Sequence, residues 1–282
     1  MKPVTTLILT TALASGSAMA DLTLTTYNPQ DKGIFPVAST LIEGEKNAVL
    51  FDAQFGVEEG KHVLDMIQKS GKQLQAIYIT AGDPDFYFGL EPIVKAYPDV
   101  NIYATQAVVD HIKRTKDQKI SYWGPILGEN APKSVYVPQV FNGNISLEGE
   151  SIELKEGGTH QAYYWIPSLK TVLGGVSVAS GGHVWMADAA THEKRIEWVQ
   201  GLDRMLALKP TRVIPGHYIG EEPADTDAVT FNRDYVATYD VNVANSQNSA
   251  ELIKKTMQAY PQFEADAGLE LGAKVSMGEM NW

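Results

Sequence analysis

The stretch Ile77-Tyr78-Ile79-Thr80-Ala81-Gly82-Asp83-Pro84-Asp85-Phe86-Tyr87-Phe88-Gly89 decides the fold. It opens with apolar and β-branched residues that favour a buried strand, breaks at a Gly-Asp-Pro-Asp turn, and continues into an apolar segment suited to a helix. A strand-end loop of this kind can bring several side chains to one point. Asp83 and Asp85 stand where that point would lie. The same residues also spell an ordinary helix start, with Asp83 as N-cap, Pro84 at the first helical position and Asp85 favouring the helix dipole.

Working outward, residues 22–27 alternate as a strand, and residues 37–43 and 48–52 form a hairpin turning at Gly44-Glu45-Lys46-Asn47. Apolar spacing then predicts a helix over 57–70 that stops at Gly71. A strand over 75–80, a helix over 89–97, a strand over 101–104 and a helix over 106–114 continue a β-α-β-α alternation. Residues 116–132 interrupt it, reading as either a lid or a small packed helical insertion. Strands are expected at 135–141, 145–147, 151–155, 162–166 and 171–176, a helix at 193–208, a short buried strand at 211–215, and helices at 225–245 and 249–260. Two successive runs of sheet followed by helix suit an α/β, four-layer αββα sandwich.

The acidic loop can be laid on the frame T-H-x-H-x-D-H-x-x-G and resembles the signature loop of the metallo-β-lactamase superfamily. On that frame Ala81 stands at the first histidine, Asp83 at the second, Asp85 at the aspartate, Phe86 at the third histidine and Gly89 at the closing glycine. Gly157-Gly158-Thr159-His160 looks like the segment that supplies a further histidine. Val213-Ile214-Pro215-Gly216-His217 matches the V-x-P-G-H ending that supplies the last one, and Val176 replaces the bridging aspartate after Gly174-Gly175. The resemblance implies the four-layer αββα sandwich as a single domain over residues 21–282. It also implies a metal-dependent hydrolase acting on an ester, lactone or amide.

Carried over residue by residue, the resemblance leaves Asp83, Asp85, His160 and His217 as metal ligands, with Asp85 also the catalytic residue that binds the ion or orients water. A catalytic zinc site needs three protein ligands and an open position. Four candidates therefore suffice for one composite ion at most, and two oxygens with two imidazoles do not choose among zinc, manganese and iron. Ala81, Phe86 and Val176 cannot ligate. They favour the competing reading, a non-catalytic periplasmic binding or scaffolding protein that kept the fold and holds no ion, because small and apolar groups fill such positions without a desolvation cost.

Gly181-Gly182-His183-Val184-Trp185-Met186-Ala187-Asp188 is a separate candidate, with His183 and Trp185 as substrate contacts and Asp188 as a further polar group, or else an ordinary packed loop. His62 and His111 read as residues of helix faces, and His192 as part of a solvated helix start. The chain carries no phosphate-cradling Gly-rich loop followed by Lys-Ser/Thr and no G-x-S-x-G elbow, which removes the sequence basis for nucleotide-dependent and serine-hydrolase readings.

Met1-Lys2-Pro3, an apolar run and Ala18-Met19-Ala20 read as a signal peptide over 1–20. A periplasmic or secreted product is expected. With no cysteine there is no lipid acceptor, disulfide or thiol ligand, and no membrane anchor is expected. A net charge of −11, from 34 acidic against 23 basic residues, argues against nucleic acid as a partner. The expected partner is a small-molecule ligand or substrate, with the oligomeric state left open.

Overall fold

Alternation of side chains across two sheets builds three separate cores in the computed structural model, which describes residues 21–158 and 162–281. The expected signal peptide, 1–20, and His160 lie outside the described residues.

In the first half, β1 (Thr23–Tyr27), β2 (Ser39–Glu43), β3 (Asn47–Phe51), β4 (Gln73–Ile79), β5 (Asn101–Ala104) and β6 (Gln139–Val140) form one sheet in sequence order. The β1–β2–β3 pairs are antiparallel and the β3–β4–β5–β6 pairs parallel. The parallel pairs require crossovers. These carry α1 (Val57–Ser70), the single turn α2 (Pro84–Tyr87), α3 (Leu90–Ala96) and α4 (Gln106–Leu127). The second half contributes β7 (Ile145–Leu147), β8 (Glu150–Lys155), β9 (Tyr163–Ile166), β10 (Thr171–Leu173), β11 (Ala179–Ser180), α5 (His192–Ala207), β12 (Arg212–Ile214) and β13 (His217–Tyr218). It ends in α6 (Asp227–Ala244), α7 (Ser249–Ala259) and α8 (Ala267–Ser276). Its five-stranded sheet runs β12-β10-β9-β8-β7, while β11 and β13 pair separately.

Adjacent residues of one strand point to different cores, as the period of two demands. Leu41, Leu50, Ile77 and Ile79 face Val63, Ile67, Leu90, Ile93, Val109 and Ile112 of the first helical layer. Ile42, Val49, Phe51 and Tyr78 face Ile152, Tyr164, Ile166 and Leu173 between the sheets. Tyr163, Trp165, Val172 and Val213 face Trp198, Leu202, Val236, Tyr239 and Leu252 of the second helical layer. Burying each such side chain stabilises by about 1.5–3 kcal/mol before chain entropy is counted. The layers are therefore helix, sheet, sheet, helix.

Two expectations change. The helix expected over 106–114 runs on to Leu127, so most of the 116–132 segment is the second half of α4 rather than a separate insertion. Pro125 lies in the last turn of α4, where its missing amide removes the bond to the carbonyl of the residue four before it and the helix ends two residues later. Of the strand expected over 135–141 only Gln139 and Val140 pair, as an exposed edge. The helix Ala267–Ser276, absent from the sequence reading, closes the second helical layer with Leu269 and Ala273. Among the described residues no helix is long and apolar enough to cross a membrane.

Candidate functional site

The ends of β4, β10 and β12 meet at one edge of the paired sheets, and backbone packing fixes them there. Thr80 ends β4. Its amide and hydroxyl both donate to the buried Asp52 carboxylate, at 2.8 and 2.7 Å, and its hydroxyl oxygen accepts from the Gly175 amide at 2.7 Å. Burial pushes the Asp52 carboxyl up to about 8 against the two Thr80 bonds, which favour the charged form, and the nearby Asp85 adds to the rise. On the third strand, a Cβ at Gly216 would lie 2.0 Å from the Gly175 carbonyl oxygen, so the Pro215–Gly216 turn admits no side chain there.

That turn delivers His217 to the acidic loop. Its Nε2 lies 2.7 Å from Asp85 Oδ2, joining residues 132 positions apart. The Asp85 side chain is 7 % exposed and that of His217 27 %. The Phe86 ring, wholly buried, meets the imidazole edge to face at a centroid distance of 5.2 Å. The position expected to resemble a third histidine therefore packs against the last one instead of sharing an ion with it.

Asp83 goes elsewhere. It occupies the N-cap position of α2, with Pro84 at the start of the helix and Asp85 in its first turn as the helix-start reading has it, but its side chain makes no cap bond. Its Oδ1 accepts from Lys119 Nζ at 3.0 Å. The same ammonium donates to the Gly82 carbonyl at 3.1 Å and lies 3.1 Å from His111 Nε2. His111 and Lys119 both project from α4, eight residues apart on one helix face. Burial lowers the His111 pKa, and the neighbouring Lys119 and Arg114 charges add to this while Asp83 and Asp188 oppose it. An acceptor role toward Lys119 needs the neutral ring. A Cβ at Gly82 would sit 2.7 Å from the His111 ring, so the glycine allows α4 to lie on the loop.

The residues of the glycine-rich segment lie apart from this pair of contacts. His183 Nδ1 is 2.9 Å from the Tyr235 hydroxyl, and its ring packs against Tyr235 and Phe263. Its Nε2 is buried without a hydrogen-bond partner among the described residues. His183 thus packs its ring against Tyr235 and Phe263. Trp185 is 40 % exposed, and its indole N–H donates to Asp188 at 2.9 Å.

The sequence reading placed His111 on a helix face, where it is found, but did not connect it to the loop, and it missed Lys119. Their signal was the spacing of His111, Thr115 and Lys119 at intervals of four, visible only if the helix continues past Arg114.

The donor set does not fit a family-type pair of ions. Ala81 is buried with only a methyl group to offer, Phe86 is held against His217, and Val176 packs with apolar neighbours of the first core. Among the described residues no three His, Cys, Asp or Glu side chains form a group that could hold a metal ion.

An αββα sandwich with a strand-end acidic loop, joined by a histidine after a Pro-Gly turn, defines the class. The chain belongs to the metallo-beta-lactamase superfamily, whose sequence profile matches residues 33–217. The solved structure of DIM-1 metallo-beta-lactamase is similar, with 18 % identity and a TM-score of 0.54, covering 76 % of this chain and 93 % of that one. A metallo-beta-lactamase family protein from Thermus thermophilus has 14 % identity and a TM-score of 0.60, covering 90 % of this chain and 91 % of that one. The sec-alkyl sulfatase PisA1, as a double mutant, has 15 % identity and a TM-score of 0.61, covering 92 % of this chain and 50 % of that one. No curated protein matches the sequence.

Proposed function

We propose that this chain is an exported, non-catalytic binding member of the superfamily for a small-molecule ligand, in which the protein's own groups take over the partners that metal ions have in a hydrolase. The observation that carries this reading is the pairing of both loop acids inside the chain, Asp83 with Lys119 at 3.0 Å and Asp85 with His217 at 2.7 Å. An ammonium contact neutralises one carboxylate, and an imidazole hydrogen bond satisfies the other. An open groove of about 620 Å³ lies between the start of α4, at Gln106 and Asp110, and Gly157–Gly158, and neither loop acid lines it.

A second reading rests on the Asp85–His217 contact. These are two of the ligands that the resemblance assigns to one ion, already side by side across the two halves of the fold. With a third donor they would form the core of a mononuclear zinc site in a hydrolase for esters, lactones or amides. The test is zinc content of the purified mature protein after dialysis, followed by an ester, lactone and amide hydrolysis screen with and without added zinc. The binding reading expects neither retained zinc nor zinc-dependent turnover. One firmly held ion with metal-dependent hydrolysis would replace it by the second reading.

A further inference from the structure

We propose that Lys119 is a tethered replacement for a metal ion, occupying a three-donor cation site formed by Asp83 Oδ1, the Gly82 carbonyl and His111 Nε2, and excluding divalent metal from that corner of the acidic loop. The proposal deepens the metal-free reading and rests on it.

An ammonium has three N–H donors and no acceptor. Lys119 Nζ has three neighbouring acceptors, at 3.0 Å from Asp83 Oδ1, 3.1 Å from the Gly82 carbonyl and 3.1 Å from His111 Nε2. Its hydrogen-bonding capacity is therefore filled by the chain. A carboxylate oxygen, a carbonyl oxygen and a neutral imidazole nitrogen are also what a divalent transition-metal ion accepts. Here they converge on a cation that cannot leave. The Lys119 side chain is 20 % exposed, enough shielding for its fixed charge to act on anything entering the corner.

The acceptors come from two elements that the superfamily frame does not connect. Asp83 and Gly82 belong to the strand-end loop, and His111 and Lys119 to α4. A metal ion bridging two elements would supply positive charge to the carboxylate and a mechanical tie between the elements. Lys119 supplies both. The absent side chain at Gly82 completes the arrangement, since a Cβ would meet the His111 ring at 2.7 Å and lift α4 off the loop. His111 is the informative member. It stands outside the frame T-H-x-H-x-D-H-x-x-G, so a metal that depends on it would reveal a site built by this chain's α4.

The test is nickel and zinc titration calorimetry on the mature wild-type chain, Lys119→Ala, Lys119→Met and the double variant Lys119→Ala/His111→Ala. Circular dichroism would establish that each is folded. Removing the ammonium should add one metal equivalent per chain in both single variants, with affinity at this corner raised roughly tenfold or more over wild type. The gain should vanish in the double variant, and Lys119→Arg should keep the metal out. Unchanged stoichiometry and affinity in folded Lys119→Ala and Lys119→Met would overturn the proposal, as would a gain that survives loss of His111. Zinc held by the wild-type chain itself would instead sink the metal-free reading. The exclusion proposal would then stand or fall on the increment between wild type and the Lys119 variants.

Discussion

Asp83 and Asp85 are two residues apart in one loop, yet the fold treats them differently. Asp85 is buried and meets His217, which arrives from the other half of the sandwich. Asp83 is 42 % exposed on its side chain and meets Lys119 from the adjacent helix of the same half. The Asp85 contact joins two positions of the superfamily frame and depends on strands β4 and β12 ending at the same edge. The Asp83 contact uses a residue for which the frame has no position, supplied by a helix face. One acid is thus held across the sandwich and the other by the helix beside its loop.

The largest expected effect separates the two acids by burial. His217→Ala should cost about 2–3 kcal/mol in urea denaturation, because it leaves a buried carboxylate without its partner, reduced somewhat by the exposure of the imidazole. If it costs no more than a surface substitution, Asp85 is not held by this contact. Thr80→Val comes next, at about 1–3 kcal/mol, since it removes the hydroxyl that links Asp52 to the Gly175 amide and leaves buried polar groups unpaired. Lys119→Ala should cost under about 1 kcal/mol, because an ion pair with a carboxylate this exposed is screened by water. A cost as large as that of His217→Ala would erase the distinction between the two regions.

The smallest effect is a pH dependence confined to the Asp83 side. His111 has a lowered pKa in the folded chain, so as pH falls through about 6.5 the unfolded chain takes up its proton first. Its contribution to stability is therefore complete above that pH and is lost as pH drops toward the folded value. The ring faces Lys119 and Arg114, whose charges resist protonation, and Asp83 and Asp188, which favour it. Denaturation midpoints at pH 7.5 and 5.5, wild type against His111→Gln, should converge as the pH falls, within roughly 1 kcal/mol. Parallel behaviour of the two proteins would remove His111 from the contact.

These contrasts explain what could be read from the sequence. The layers were legible because strands such as those holding Ile42, Val49 and Tyr164 alternate with residues of opposite facing, and because Gly71 stops α1 as expected. Asp85 and His217 were legible through the frame and do meet. The partner of Asp83 was hidden, because residues 116–132 read as a lid or a small packed helical insertion and not as a continuation of the helix from Gln106. Packing of Val108, Val109 and Ile112 at one end and of Trp123 and Leu127 at the other carries α4 through that run. The packing of His183 was hidden for a related reason: a loop of glycines does not tell which way its ring turns, and Tyr235 and Phe263 decide it.

The central claim is that both acids find their partners within the chain, so that the loop needs no ion. Metal analysis of the mature wild-type protein, purified without chelator and dialysed at neutral pH, tests it most directly. The account predicts well under one equivalent of zinc, manganese or iron per chain. One firmly retained equivalent that Asp85→Ala or His217→Ala releases would contradict it.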